Sequence, residues 1–143
     1  MKPEILFQDT YSEQERKVFL QGKVISKQVD LFEGQLAELF EIQNPQLLYS
    51  AKFEDLKSKY IQTRLSSSKL GNWIYFPWLE LLVHTVTADE YFSLRTARNK
   101  GLITSEEQEQ LATMNIGFLG LSVGLGGALN TVQSGIGNVI KMA

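Results

Sequence analysis

The sequence predicts an α/β protein: an α+β leading region of helices and a β-hairpin, followed by the first strand, helix and strand of a parallel sheet. Three observations carry this expectation. Apolar residues recur at helical spacing between Ser12 and Phe40. The segments NWIYFPW and LLVHTV are rich in the aromatic and β-branched residues that pleated strands favour. After Asn115 the chain holds seven of its eleven glycines and one charged residue, Lys141.

Composition narrows the chemistry. With 143 residues, 43% hydrophobic and 21% charged, the chain can bury a core, and its length suits one domain or one domain plus a piece of another. Fourteen Lys+Arg against sixteen Asp+Glu give a net charge of −2, which lacks the basic excess that neutralising many phosphates demands. Nucleic-acid binding is therefore disfavoured. The absence of cysteine excludes a disulfide framework, a thiolate metal site and a cysteine nucleophile within these residues. A single histidine, His84, excludes a multi-histidine metal centre. The start, MKPEILFQDTYSEQERK, places charges where a secretory signal needs an apolar stretch, so a cytoplasmic location is expected.

From Ser12 to Phe40, Val18, Ile25, Val29, Phe32, Leu36 and Leu39 follow steps of three, four or seven. The spacing predicts one helix, or two if Asp30 and Glu33 form a capping pair. Asn44-Pro45 ends the helical run, because proline disfavours helical geometry in the residue before it. A further helix is predicted from Phe53 to Leu65. The run from Ser66 to Gly71 signals a turn into the hairpin, with Pro77 near a strand end, where its missing N–H costs least. Alternation puts Trp73 and Tyr75 on one face and Ile74 and Phe76 on the other, so these aromatics are expected to pack in a core. Thr87 with Glu90, and Thr104 with Glu107, have capping-box spacing and predict helices over 88–99 and 105–114. Beyond them, strands are predicted over 116–119 and 139–143, a helix over 125–133, and a glycine loop from Gly120 to Gly124.

The glycine loop admits four readings. A strand that feeds a glycine turn and then a helix can hold an anion, because glycine lets the backbone approach and the helix N-terminus offers free N–H groups. A dinucleotide fingerprint, GxGxxG, wants glycine where Ser122 stands. The same residues spell GxSxG, with Ser122 as a nucleophile, yet no acid or histidine follows Ser122 to complete a hydrolase triad. Gly120 and Gly124 also form GxxxG, but the uncharged block is ~14 residues, roughly 21 Å as a helix against a hydrocarbon core of about 30 Å. Membrane insertion is disfavoured. The remaining reading is that the glycines only let a helix pack closely on a sheet.

The residues upstream extend the pattern. Arg95-Thr96-Ala97-Arg98-Asn99, then Gln108-Glu109-Gln110-Leu111, then Ile116 to Leu119, then Gly120, and finally Ser134 to Met142 appear in order. Together they resemble the entry to the ThiF, MoeB and ubiquitin-activating-enzyme-like adenylyltransferases, in which an Arg-Tyr-x-Arg-Gln segment precedes a Gln-x-x-Leu helix, a strand and a glycine loop. Two departures stand out: the loop is one residue short of the usual cluster and carries Ser122, and Asn99 replaces glutamine. The resemblance implies an N-terminal α+β domain over 1–103 and, over 104–143, the truncated start of a Rossmann-like nucleotide-binding domain. An acidic ribose ligand is then expected just after Ala143.

What the resemblance implies is binding of Mg-ATP and attack on its α-phosphate by a carboxylate, typically the C-terminus of a ubiquitin-like or sulfur-carrier protein. Gly120, Leu121, Ser122, Val123 and Gly124 would cradle phosphate. Arg98 would be the catalytic arginine that reaches the triphosphate of the other subunit of a homodimer, with Arg95 orienting the segment. The magnesium ligand lies outside this chain, and these residues alone are expected to be inactive. Two alternatives remain open: an oxidoreductase that binds NAD(P) or FAD, and a non-catalytic interaction module. His84, on a hairpin strand, is expected to be structural or surface-exposed and not a general base.

Overall fold

The computed structural model describes residues 2–6, 11–67, 70–120 and 124–142, with the backbone alone over 138–142. Mixed helices and sheets make the chain α/β. It divides into two compact units, Met1–Tyr91 and Phe92–Ala143.

The first unit is built on a four-stranded sheet in the order β1-β3-β4-β2. Strand β1 (Glu4–Leu6) runs antiparallel to β3 (Asn72–Phe76), β3 runs antiparallel to β4 (Leu81–Thr85), and β4 runs parallel to β2 (Lys27–Asp30). The expected hairpin is β3 and β4. Pro77 opens a single 3-10 turn directly after β3, and Glu80 closes it with φ 47. The Glu80 carbonyl accepts from Ser26 N at 2.8 Å and Lys27 N at 3.2 Å, which ties the hairpin tip to the start of β2.

Helix α1 (Glu13–Leu20) starts at a capping box in which the Ser12 hydroxyl accepts from Glu15 N and the Glu15 carboxylate accepts from Ser12 N. It stops at Leu20, and here the structure corrects the sequence-based expectation. The middle of the Ser12–Phe40 run is a strand, β2, and not helix. Val29 is β-branched, and pairing of Lys27–Asp30 with β4 satisfies this backbone better than an isolated helical extension does. Asp30 also departs from the expected pairing with Glu33. Its carboxylate accepts from Phe32 N at 3.0 Å and so holds the first turn of helix α2 (Phe32–Gln43).

Helix α2 buries Phe32, Leu36, Leu39 and Phe40, the stripe expected of helical periodicity. Full burial of a leucine such as Leu36 contributes about 1.5–3 kcal/mol. Asn44 ends α2 as predicted, its side-chain amide donating to the Phe40 carbonyl at 2.9 Å before Pro45. Helix α3 (Phe53–Leu65) has the predicted bounds, and its Phe53 and Tyr60 rings meet Phe40 at 5.7 and 5.5 Å. Trp73, Tyr75 and Leu82 form a buried cluster against Leu6, Tyr11, Phe19, Leu20 and Ile25, whereas Ile74 and Phe76 on the opposite face are half-buried.

Helix α4 (Ala88–Arg95) begins at the predicted Thr87–Glu90 capping box, but it ends at Arg95, ahead of the expected Asn99. Thr96 turns its hydroxyl back to the Phe92 carbonyl at 2.8 Å, and a 3-10 turn over Ala97–Asn99 follows. In the second unit, helix α5 (Ser105–Thr113) starts at the predicted Thr104–Glu107 capping box. Strand β5 (Asn115–Leu119), helix α6 (Leu125–Gln133) and strand β6 (Asn138–Met142) follow. Strands β5 and β6 pair in parallel, with Ile116 opposite Val139, so α6 lies within the crossover that parallel pairing requires. Among the described residues no helix is long and apolar enough to cross a membrane.

Candidate functional site

The site suggested by the sequence lies at the carboxyl end of β5, the end at which open α/β sheets take ligands. Leu119 is 81% exposed there, and Gly120 turns the chain with φ 77, a conformation that glycine adopts without steric cost. Leu121, Ser122 and Val123 lie outside the described residues. Gly124 is the N-cap of α6 and offers no side-chain cap. A Cβ on Gly124 would stand 2.7 Å from the Gly120 carbonyl oxygen, so the two glycines close the turn on each other.

Leu125, Gly126 and Gly127 at the start of α6 are exposed, and its first turn carries no acidic residue. Its N-terminal N–H groups point along the helix axis and carry the positive end of the dipole. Among the described residues nothing lies within 4 Å of a Cβ built on Gly126, and a Cβ on Gly127 would meet the Phe118 ring at an ordinary 3.6 Å. Among the described residues no atom therefore demands a glycine at either position.

The arginines are placed differently from one another. Arg95, in the last turn of α4, sets its guanidinium over the Phe92 ring at 5.3 Å, and its buried Nε has no hydrogen-bond partner among the described residues. Arg98 is exposed on the 3-10 turn. The structure joins that turn to the far end of α6. Asn99 Nδ2 donates to Gln108 Oε1 at 2.6 Å and to the Ser134 carbonyl at 3.0 Å, and Gln108 Nε2 donates to the same carbonyl at 3.1 Å. Helix α6 has nine residues, about 13 Å of rise, and that length separates the Asn99 anchor from the glycine turn.

Sequence reasoning picked out Asn99 and Gln108 as pattern positions and missed that they meet. The available signal was chemical: two amides and a helix C-terminus, whose last carbonyls lack intrahelical partners. The turn beyond Ser134 is equally constrained. Gly135 has φ 89, and a Cβ there would stand 2.6 Å from Thr96 Cγ2 and also strike Gln108 Nε2. A Cβ on Gly137 would run into the Ala112 carbonyl.

His84 is buried, as a structural histidine is expected to be. Its Nδ1 faces both Asp30 carboxylate oxygens at 3.1 Å, and its Nε2 lies 2.6 Å from the Leu70 carbonyl. Both ring nitrogens thus face acceptors of the protein itself, which fixes the orientation of the ring.

No family model matches the chain, and no solved structure matches it. An uncharacterized protein of Mycobacterium tuberculosis (strain CDC 1551 / Oshkosh) is 32% identical over 71 residues, which cover 50% of this chain and 10% of that protein. The chain thus spans about a tenth of the length of the curated relative it matches.

Proposed function

We propose that the chain is the N-terminal part of an ATP-dependent adenylyltransferase, with its second unit the start of a Rossmann-like nucleotide-binding domain. The observation that carries this reading is that, among the described residues, nothing lies within 4 Å of a Cβ built on Gly126 at the mouth of the glycine turn. A glycine that no described atom requires, in the first turn of a helix that follows a parallel strand, is accounted for by close approach of a ligand. The exposed N–H groups and the absence of acidic residues there favour an anion.

In this reading the backbone at Gly120 and Gly124 and the first turn of α6 bind the phosphates of Mg-ATP. A carboxylate, the C-terminus of a ubiquitin-like or sulfur-carrier protein, attacks the α-phosphate, and pyrophosphate leaves. The chain's part is to position the reactants and offset the charge that grows on the phosphate oxygens. Arg98, anchored at the opposite end of α6 from the glycine turn, serves the triphosphate of a second copy in a cytoplasmic homodimer. Arg95, packed on Phe92, steadies the turn that carries Arg98. The magnesium ligand comes from outside these residues.

Isothermal titration of the full-length protein with Mg-ATP tests the reading. Saturable heat that is lost on Gly124→Ala supports it. No heat at millimolar nucleotide overturns it in favour of an interaction module, and tighter binding of NAD or FAD than of Mg-ATP overturns it in favour of an oxidoreductase.

A further inference from the structure

The three hydrogen bonds among Asn99, Gln108 and Ser134 form a closed ring. Asn99 contributes both amide hydrogens, Gln108 contributes one acceptor and one donor, and the Ser134 carbonyl accepts twice. Rotating either amide by half a turn would set donor against donor or acceptor against acceptor, so both side chains are held in one orientation. The ring joins three segments: the 3-10 turn, helix α5 and the C-terminus of α6.

The backbone of Asn99 is held as well. Its N–H donates to the Thr96 carbonyl at 2.9 Å, and its carbonyl accepts from Leu102 N at 2.9 Å and Ile103 N at 3.2 Å. On the other side of the ring, Gly135 and Gly137 leave no room for the turn to shift against Thr96, Gln108 and Ala112. Arg98 therefore precedes a residue fixed through both its side chain and its backbone, while Arg98 itself is exposed.

We propose that Asn99 and Gln108 are the positioning residues of Arg98: their paired amides clamp the 3-10 turn to the end of α6, so that the Arg98 guanidinium is presented from a fixed base to a phosphate outside its own chain. The inference rests on the adenylation reading for what Arg98 contacts, and on the hydrogen-bond ring alone for how Arg98 is held. Asn99→Asp keeps the shape of the side chain and replaces its two donors by an acceptor that faces two others. Gln108→Glu removes only the bond to Ser134.

Two measurements test the clamp. The first is backbone amide relaxation at Arg98, where an anchored turn gives an order parameter of about 0.85 and a released one falls below about 0.6. Asn99→Asp is expected to release Arg98, and Gln108→Glu to do so partly. Unchanged order at Arg98 in both variants overturns the clamp, whether or not the protein adenylates anything. The second is ATP–pyrophosphate exchange. Asn99→Asp is expected to lower kcat at least tenfold and leave KM for Mg-ATP within about twofold, because the glycine turn is untouched. In an Arg98→Ala background the same change is expected to have no further effect. An equal additional loss there, or a rise in KM instead of a fall in kcat, overturns the positioning role. Absence of exchange in the unsubstituted full-length protein counts against the adenylation reading alone, since the relaxation measurement still decides the clamp.

Discussion

Trp73 and His84 stand opposite each other on β3 and β4 and stack almost flat, with ring centroids 4.3 Å apart and planes 5° from parallel. Phe32 stacks on the same imidazole at 4.7 Å, and Arg16 lies over the Trp73 ring at 4.4 Å. The histidine thus joins the start of α2 to the sheet through ring contact, the Asp30 carboxylate and the Leu70 carbonyl at once. Its role is architectural.

His84→Ala is therefore expected to destabilise the first unit by about 3 kcal/mol, the range for losing a buried ring together with its hydrogen bonds. Urea unfolding followed by tryptophan fluorescence measures it. A loss below about 0.5 kcal/mol would show that the stack contributes little.

A pH dependence follows from Glu90. Burial alone would push its carboxyl up, but the Arg64 guanidinium at 2.6 Å and the Thr87 N–H and hydroxyl hold it below the ordinary carboxylate value. A depressed folded value means that this contribution is fully present above the unfolded pKa, about 4.3. It is lost as pH falls from there through the folded value. The urea midpoint of the first unit should decline over that window, and Glu90→Gln should flatten the decline and lower the midpoint at neutral pH. An unchanged slope would remove Glu90 as its source.

At the glycine turn, stability and binding are expected to move in opposite directions. Gly126→Ala meets no atom in the described structure and gains helix propensity of up to about 1 kcal/mol, so thermal stability holds or rises. Mg-ATP affinity is expected to fall at least tenfold, because the new methyl occupies the approach to the backbone. Unaltered affinity in titration would show that nothing binds there. Gly137→Ala is a useful contrast, since its collision with the Ala112 carbonyl should destabilise the second unit by about 3 kcal/mol or more.

Arg98→Ala removes an exposed side chain and should leave the melting temperature within about 1 °C. Pyrophosphate exchange is expected to fall by about two orders of magnitude, the usual size of a lost transition-state donor. Exchange at the original rate would take Arg98 out of the site.

Much of the fold was legible in the sequence wherever a local signal and the tertiary context agree. The capping boxes at Thr87 and Thr104 sit at helix starts, Phe53–Leu65 is helical throughout, and Pro77 ends a strand. The Ser12–Phe40 run failed because a spacing of three and four residues also accommodates a helix, a strand and a second helix, and only pairing with a strand some fifty residues away selects β2. Strand β1 escaped notice because three residues are too few to show a period. In the candidate site, the glycine turn and its arginines were named from pattern, whereas the ring of Asn99, Gln108 and Ser134 joins segments nine to thirty-five residues apart and leaves no periodic trace.

The Asp30–His84 contact spans 54 positions and lies at the parallel seam between β2 and β4. Zipping β3 to β4 across a four-residue bend is fast, while seating β2 alongside them must wait for a long loop to close. Refolding of this half of the molecule should consequently be paced by that last docking event, and a variant that weakens the carboxylate's grip on the imidazole will slow assembly to the extent that the contact is already made at the barrier.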